Sequence, residues 1–142
     1  MRNRRRNRIK KRKSLDYYIK MIERYIFASI LFLILDMIYI KVNERMLHNQ
    51  IINVQRVILQ PNYPAIVITY LLLCFTICYF IIRPHRDMKE AFLLGALIYG
   101  IFEFTSMSIF KKWEWMTAIM DTLWGGIVFA LTVQGTYLYF SR

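Results

Sequence analysis

The stretch Lys-Lys-Trp-Glu-Trp-Met-Thr-Ala-Ile-Met-Asp-Thr-Leu-Trp-Gly-Gly, Lys111 to Gly126, contains the residue that most restricts how the chain can fold. Its first residues are charged and aromatic, as is typical of a membrane interface. The chain beyond them is almost purely apolar as far as Phe140, except for Asp121. A carboxyl group at membrane depth needs partners inside the protein. The stretch therefore predicts the beginning of a transmembrane helix that carries part of a polar site.

Composition indicates a membrane protein along the whole chain. Of the 142 residues, 57% are hydrophobic, whereas about 45–50% is typical of soluble domains. Apolar runs predict four spans, at residues 25–41, 64–83, 88–110 and 116–140, within one domain over residues 25–142. The predicted fold class is all-α, an integral membrane four-helix antiparallel bundle.

Residues 1–24 form a basic tail and an interfacial lead-in. Nine of the twenty Lys and Arg residues lie between Arg2 and Lys13, and such a run is predicted to be disordered by itself. Next to an apolar segment it favours binding to anionic lipid headgroups over binding to nucleic acid. Four spans place both termini on one side, which the positive-inside rule predicts to be the cytoplasm.

Residues 41–60 have a different pattern. Leu47, Ile51, Val54 and Ile58 recur at a period of about 3.5 residues among charged and amide side chains. This predicts an amphipathic helix between spans one and two, either lying on the outer surface or continuing the first span. Pro61 and Pro64 separate it from the second span.

Three acids lie deep within predicted spans: Asp36, Glu103 and Asp121. At a rise of about 1.5 Å per residue from the nearest outer boundary, all three fall roughly 7–12 Å deep. Helical spacing puts each acid on a face with small, hydroxyl or aromatic residues. The predicted supporting residues are Tyr39, Tyr99, Ser106 and Trp124.

Acids at one depth in a low dielectric must share protons, bind a cation or pair with a base. No Lys or Arg lies at their depth, and neither His lies in a span. The favoured function is therefore binding or conduction of a small cation or proton at an outer-leaflet acidic site. Conduction predicts a homo-oligomer, because four helices make a small pore. No cofactor is predicted, and whether a metal binds stays open.

Two other functions remain open. One is a membrane-embedded enzyme on a lipid or isoprenoid substrate, with two acids as general acid and base. No nucleophile or cofactor motif supports it, so a non-enzymatic role is preferred. The other is a structural or accessory protein without transport activity, whose acids only fix the helix register.

Several short stretches together resemble one known family. They are Leu35-Asp36, Pro61-Asn62-Tyr63, Gly95-Ala96-Leu97, Tyr99 to Ser106, Trp113-Glu114-Trp115 and Asp121-Thr122-Leu123-Trp124-Gly125. Over residues 26–140 the chain is similar to a domain-of-unknown-function family of small four-helix predicted membrane proteins, with bacterial, algal and large-DNA-virus members. The closing Asp-x-x-Trp-Gly motif is its most specific part.

The resemblance implies the four-helix architecture and supports treating the three acids as a set. It implies no activity. The chain departs from the family pattern in two places. Span three reads Phe102-Glu103-Phe104-Thr105-Ser106 where the family has Tyr-Asp followed by Leu-Thr-Asn, and Tyr63 stands where tryptophan is usual. Glu103 is longer than the aspartate of the family, and Ser106 lacks the amide of the asparagine. Both differences would alter the geometry of a polar site at these positions.

Overall fold

A computed structural model of the protein describes residues 2–57 and 60–141, with side chains described from Lys10 onward. The described residues form no β-strand. Four helical segments are long and apolar enough to cross a membrane. The all-α class and the four spans are thus confirmed. The helices are α1 Arg2–Val42, α2 Glu44–Gln55, α3 Tyr63–Ile77, α4 Met88–Ile109 and α5 Trp115–Phe140.

The basic tail is helical. α1 begins at Arg2 and continues unbroken to Val42, so the prediction of disorder is wrong for the backbone of the tail. Lys and Arg are good helix formers, and the apolar helix that follows supplies the nucleus that an isolated short helix lacks. Met1 and the side chains of residues 2–9 lie outside the described part, so lipid binding by the tail stays a prediction.

The predicted amphipathic helix is present as α2. A one-residue break at Asn43 separates it from α1, so it does not continue the first span as one helix. The Asn43 amide donates a hydrogen bond to the Tyr39 carbonyl oxygen at 3.0 Å. Arg56 ends α2 in the left-handed conformation, with φ 56°. Ile58 lies outside the described residues.

Polar caps fix where the next two helices begin. The Asn62 side chain accepts a hydrogen bond from the Ala65 N–H at 3.2 Å, with Pro64 in the first turn of α3. α3 continues into a π-helical turn, Cys78–Ile82, in which the Arg83 N–H donates to the Cys78 carbonyl oxygen at 2.9 Å. Asp87 caps α4 by accepting from the Glu90 N–H at 2.9 Å.

α4 and α5 approach each other at glycines. A Cβ atom added to Gly95 would overlap the Gly125 carbonyl group and would lie 2.8 Å from the Phe129 Cβ. A Cβ atom at Gly125 would overlap the Tyr99 ring. The two backbones are therefore in direct contact, as small residues permit inside a membrane.

An apolar layer lies next to these glycines. Phe32 and Phe129 are fully buried there and pack edge to face, with ring centroids 5.5 Å apart. On α1, Phe32 lies one turn before Asp36, and on α5, Phe129 lies two turns after Asp121. The layer consists of Ala28, Phe32, Ile77, Val128, Phe129 and Val133.

Candidate functional site

Asp36 lies on α1 and is contacted by one hydrogen-bond donor from each of the other three spans. Its side chain is 5% exposed. The Tyr70 hydroxyl of α3 donates to Oδ2 at 2.8 Å. The Trp124 Nε1 of α5 donates to Oδ1 at 2.9 Å, and the Tyr99 hydroxyl of α4 donates to the same oxygen at 3.3 Å. Both oxygens of the Asp36 carboxyl group therefore accept hydrogen bonds within the protein.

Glu103 and Asp121 form a second group. Glu103 of α4 and Asp121 of α5 lie close together, at the level where Gly100 of α4 faces Thr122 of α5. The Trp113 Nε1 donates to Glu103 Oε2 at 2.7 Å, and the Tyr39 hydroxyl donates to Asp121 Oδ1 in a short contact. Two neighbouring carboxyl groups in a low dielectric favour a form in which they share one proton.

Tyr39 and Trp124 connect these two groups. Their rings stack with centroids 4.4 Å apart and planes 6° from parallel. The Tyr39 hydroxyl contacts Asp121, whereas the Trp124 indole N–H contacts Asp36. All three acids therefore belong to one connected set, which we call the acid cluster. It consists of Asp36, Tyr39, Tyr70, Tyr99, Glu103, Trp113, Asp121 and Trp124.

Most predicted site residues lie together in this cluster. The three acids, Tyr39, Tyr99 and Trp124 are all joined by the contacts above. Ser106 is buried, but its hydroxyl makes no hydrogen bond within the described residues. It packs beside the cluster without being a member of it.

Sequence reasoning missed two members. Tyr70 lies in the uncharged span α3, seven residues after Tyr63, which places it about 10 Å deep and level with the acids. That depth was the available signal. Trp113 has the position of an interfacial anchor, yet its indole N–H reaches Glu103 from the connection between α4 and α5.

The described residues contain no group of three or more His, Cys, Asp or Glu side chains placed to hold a metal ion. Asp36 stands apart from the pair Glu103 and Asp121, and each of the three acids already accepts at least one hydrogen bond from a tyrosine or tryptophan side chain. The lysine nearest along the chain points elsewhere, since Lys41 Nζ contacts Glu44 Oε2 at 2.7 Å in solvent. That hydrogen bond and the lysine charge lower the pKa of Glu44.

Comparison with known proteins gives one match. A family model described as "Predicted membrane protein (DUF2177)" matches residues 21–138. That range includes every member of the acid cluster and excludes most of the basic tail. Neither the curated proteins nor the solved structures contain a significant match to the chain.

Proposed function

The chain belongs to the DUF2177 family of predicted membrane proteins, and we propose that it binds a proton reversibly at its Glu103–Asp121 pair. The observation that supports this function is the closeness of these two carboxyl groups inside membrane-spanning helices, where α4 and α5 approach at Gly100 and Thr122. A lone buried acid is stable when neutral, but a neighbouring pair is most stable with one shared proton. Gain or loss of that proton changes the charge of the cluster by one.

Asp36 has a different role in this proposal. Its three donors come from three different helices and hold its carboxyl group in a fixed position. Tyr39 lies between the two groups and responds to both, because its hydroxyl contacts Asp121 and its ring contacts Trp124.

The proposed architecture is an antiparallel bundle with both termini in the cytoplasm. It is supported by contacts between helices that run in opposite sequence directions: Phe27 stacks on Tyr139, whereas Tyr39 stacks on Trp124. In that orientation the acid cluster occupies the outer half, and the apolar layer separates it from the cytoplasm. Proton exchange is therefore proposed with the outer side, and conduction through the protein would need a homo-oligomer or another conformation.

The test is a pH titration of protonated carboxyl groups by infrared difference spectroscopy of the full chain in lipid nanodiscs. Wild-type protein should show a protonated-carboxyl band at neutral pH. Glu103→Gln and Asp121→Asn should each shift the pH midpoint at which the band disappears, because the acid that remains has no carboxyl partner with which to share a proton. Ser106→Ala is the matched control, since Ser106 is buried one turn from Glu103 without a hydrogen bond.

Absence of the band in wild-type protein contradicts the proposal. So does a titration midpoint that is unchanged in both acid variants, provided that their helix content and monodispersity match those of the wild type.

A structural role is the second candidate, and the geometry of Asp36 favours it. A carboxylate with one donor on each other span fixes the relative positions of four helices even if no proton is exchanged. Under this alternative, neutral replacements of the acids lower stability while no pH-dependent signal exists in any variant. The described residues add no observation in favour of a lipid or isoprenoid enzyme.

A further inference from the structure

Two polar side chains near the beginning of α5 are buried without hydrogen-bond partners. Gln50 of α2 is 2% exposed and Thr117 of α5 is 1% exposed. Within the described residues, no partner contacts Gln50 Nε2 or Thr117 Oγ1. An unpaired buried polar group is costly, and native proteins normally satisfy such groups with bound water.

The position of Gln50 is fixed by the first turn of α5. The Glu114 N–H donates a hydrogen bond to Gln50 Oε1 at 3.3 Å, which leaves the amide nitrogen of Gln50 as a free donor. Thr117 follows Glu114 by three residues, so it lies on the same side of α5. The two unpaired groups therefore belong to one region, where α2 covers the N-terminus of α5.

This region leads to the proton-binding pair. Asp121 follows Thr117 by four residues, which places both on one face of α5 and about 6 Å apart along the helix axis. The Asp121 Oδ1 atom accepts from Tyr39, and carboxyl oxygens can accept more than one hydrogen bond each. Hydrogen bonds of roughly 2.8 Å mean that one or two water molecules fit the distance from Thr117 to Asp121.

We propose that Gln50 and Thr117 hold a short file of water molecules that connects the aqueous phase beside α2 with the Glu103–Asp121 pair. This inference rests on the proposed function. Each water accepts one proton and passes another to its neighbour, so a single positive charge moves outward while the pair becomes doubly ionised. Gln50 and Thr117 are positioning residues, because they orient the water and neither gains nor loses a proton.

On the opposite side of the cluster, the described residues form the apolar layer. Phe32 and Phe129 pack edge to face there, and the apolar layer around them offers water no partner. Beyond this layer lies Thr132, whose buried hydroxyl also has no hydrogen-bond partner in the described residues. Thr132 is therefore a matched control for Thr117: both are buried threonines of α5 with unpaired hydroxyl groups.

The experiment measures the rate of proton exchange after a rapid pH jump, with the protonated-carboxyl infrared band as the signal and the full chain in nanodiscs. Gln50→Leu and Thr117→Val should each slow the change about tenfold, as expected for one lost hydrogen bond in the path. The midpoint of the equilibrium titration should stay at the wild-type pH, because neither variant removes a contact to the acids. Thr117→Ser retains the hydroxyl and should retain the wild-type rate.

Two controls separate the water file from general disruption. Thr132→Val should exchange at the wild-type rate. Asn53→Leu removes another contact between α2 and α5, the 3.4 Å hydrogen bond from Asn53 Nδ2 to Glu114 Oε1, without touching the unpaired groups. It should also leave the rate unchanged.

Wild-type rates in both Gln50→Leu and Thr117→Val overturn the water file but leave the proton pair intact. Equal slowing by Asn53→Leu overturns it too, because docking of α2 would then account for the effect. If wild-type protein shows no titration at all, the proposed function itself fails, and that outcome is distinct from the other two.

Discussion

The acid cluster and the apolar layer occupy neighbouring levels of the same helices and join them by different means. In the apolar layer, Phe32 and Phe129 interlock by shape. In the acid cluster, hydroxyl and indole groups donate hydrogen bonds to carboxyl oxygens. Lipid tails are as apolar as leucine, so the apolar layer stabilises the protein through close packing and not through removal of apolar surface from water. The hydrogen bonds of the acid cluster specify which residues of neighbouring helices meet. We therefore expect the layer to dominate stability and the cluster to determine register.

The largest effect is expected from emptying the apolar layer. Phe129→Ala leaves a cavity beside Phe32 and Gly95, and should lower the free energy of unfolding by about 3–5 kcal/mol. Unfolding by a denaturing detergent, followed by circular dichroism, measures it. Leu131→Ala is the control, since Leu131 is on the same helix but 47% exposed. Equal losses in the two variants would contradict a packed layer.

The next effect concerns the boundary between the two levels, where α4 meets α5. Gly95→Ala places a Cβ atom against the Gly125 carbonyl group, which cannot move without its helix, so we expect a loss of about 3 kcal/mol. The same unfolding measurement applies. At Gly135 an added Cβ meets only the end of the Leu31 side chain, 2.7 Å away, so Gly135→Ala should be neutral or mildly stabilising. If both variants lower the free energy of unfolding equally, the contact between the α4 and α5 backbones is not the cause of the destabilisation.

A smaller effect is expected at the centre of the acid cluster. Asp36→Leu leaves three donors without an acceptor and should cost about 2 kcal/mol, whereas Asp36→Asn keeps one acceptor oxygen and should cost about 1 kcal/mol. Unfolding of both variants at neutral pH measures the difference. If Asn is as damaging as Leu, the donors do not stabilise the fold through hydrogen bonds.

The smallest effect is expected from removing one hydroxyl group. Tyr39→Phe keeps the stack on Trp124 but removes the contact to Asp121, and should lower stability by about 1 kcal/mol. It should also change the titration of the Glu103–Asp121 pair. Tyr139→Phe is the control, because Tyr139 stacks on Phe27 and is 61% exposed. A titration that is identical in Tyr39→Phe and wild type would remove Tyr39 from the cluster's function.

The sequence predicts the depth of the three acids in the membrane, because a helix rises by a constant amount per residue. Counting from charged boundaries was enough to expect Asp36, Glu103 and Asp121 together. It does not predict the division into an anchored acid and a neighbouring pair, because that division depends on helix rotation and on side-chain direction. Tyr70 was missed for a related reason: an isolated tyrosine in an uncharged span has no partner that the sequence can identify.

The error in the basic tail has another physical origin. Composition describes a segment by itself, and nine positive charges between Arg2 and Lys13 disfavour an isolated helix. In the chain, the segment extends a helix that already exists, so the unfavourable nucleation step is absent. A prediction from the composition of one segment does not include the stabilisation of its helix by the helix that follows it.

The three donors around Asp36 also have a consequence for biosynthesis. They lie on α3, α4 and α5, so the ribosome completes α1 before any of them exists. An aspartate at the centre of a lone inserting helix costs about 2.5–3.5 kcal/mol, and Asp36, which lies nearer the outer end, costs part of that. Span one therefore enters the bilayer while Asp36 has no hydrogen-bond donor from another helix. The last of its three donors, Trp124, is available only after α5 has been synthesised. Chains truncated before α5 should accordingly insert less stably into the membrane and be degraded more readily by membrane proteases.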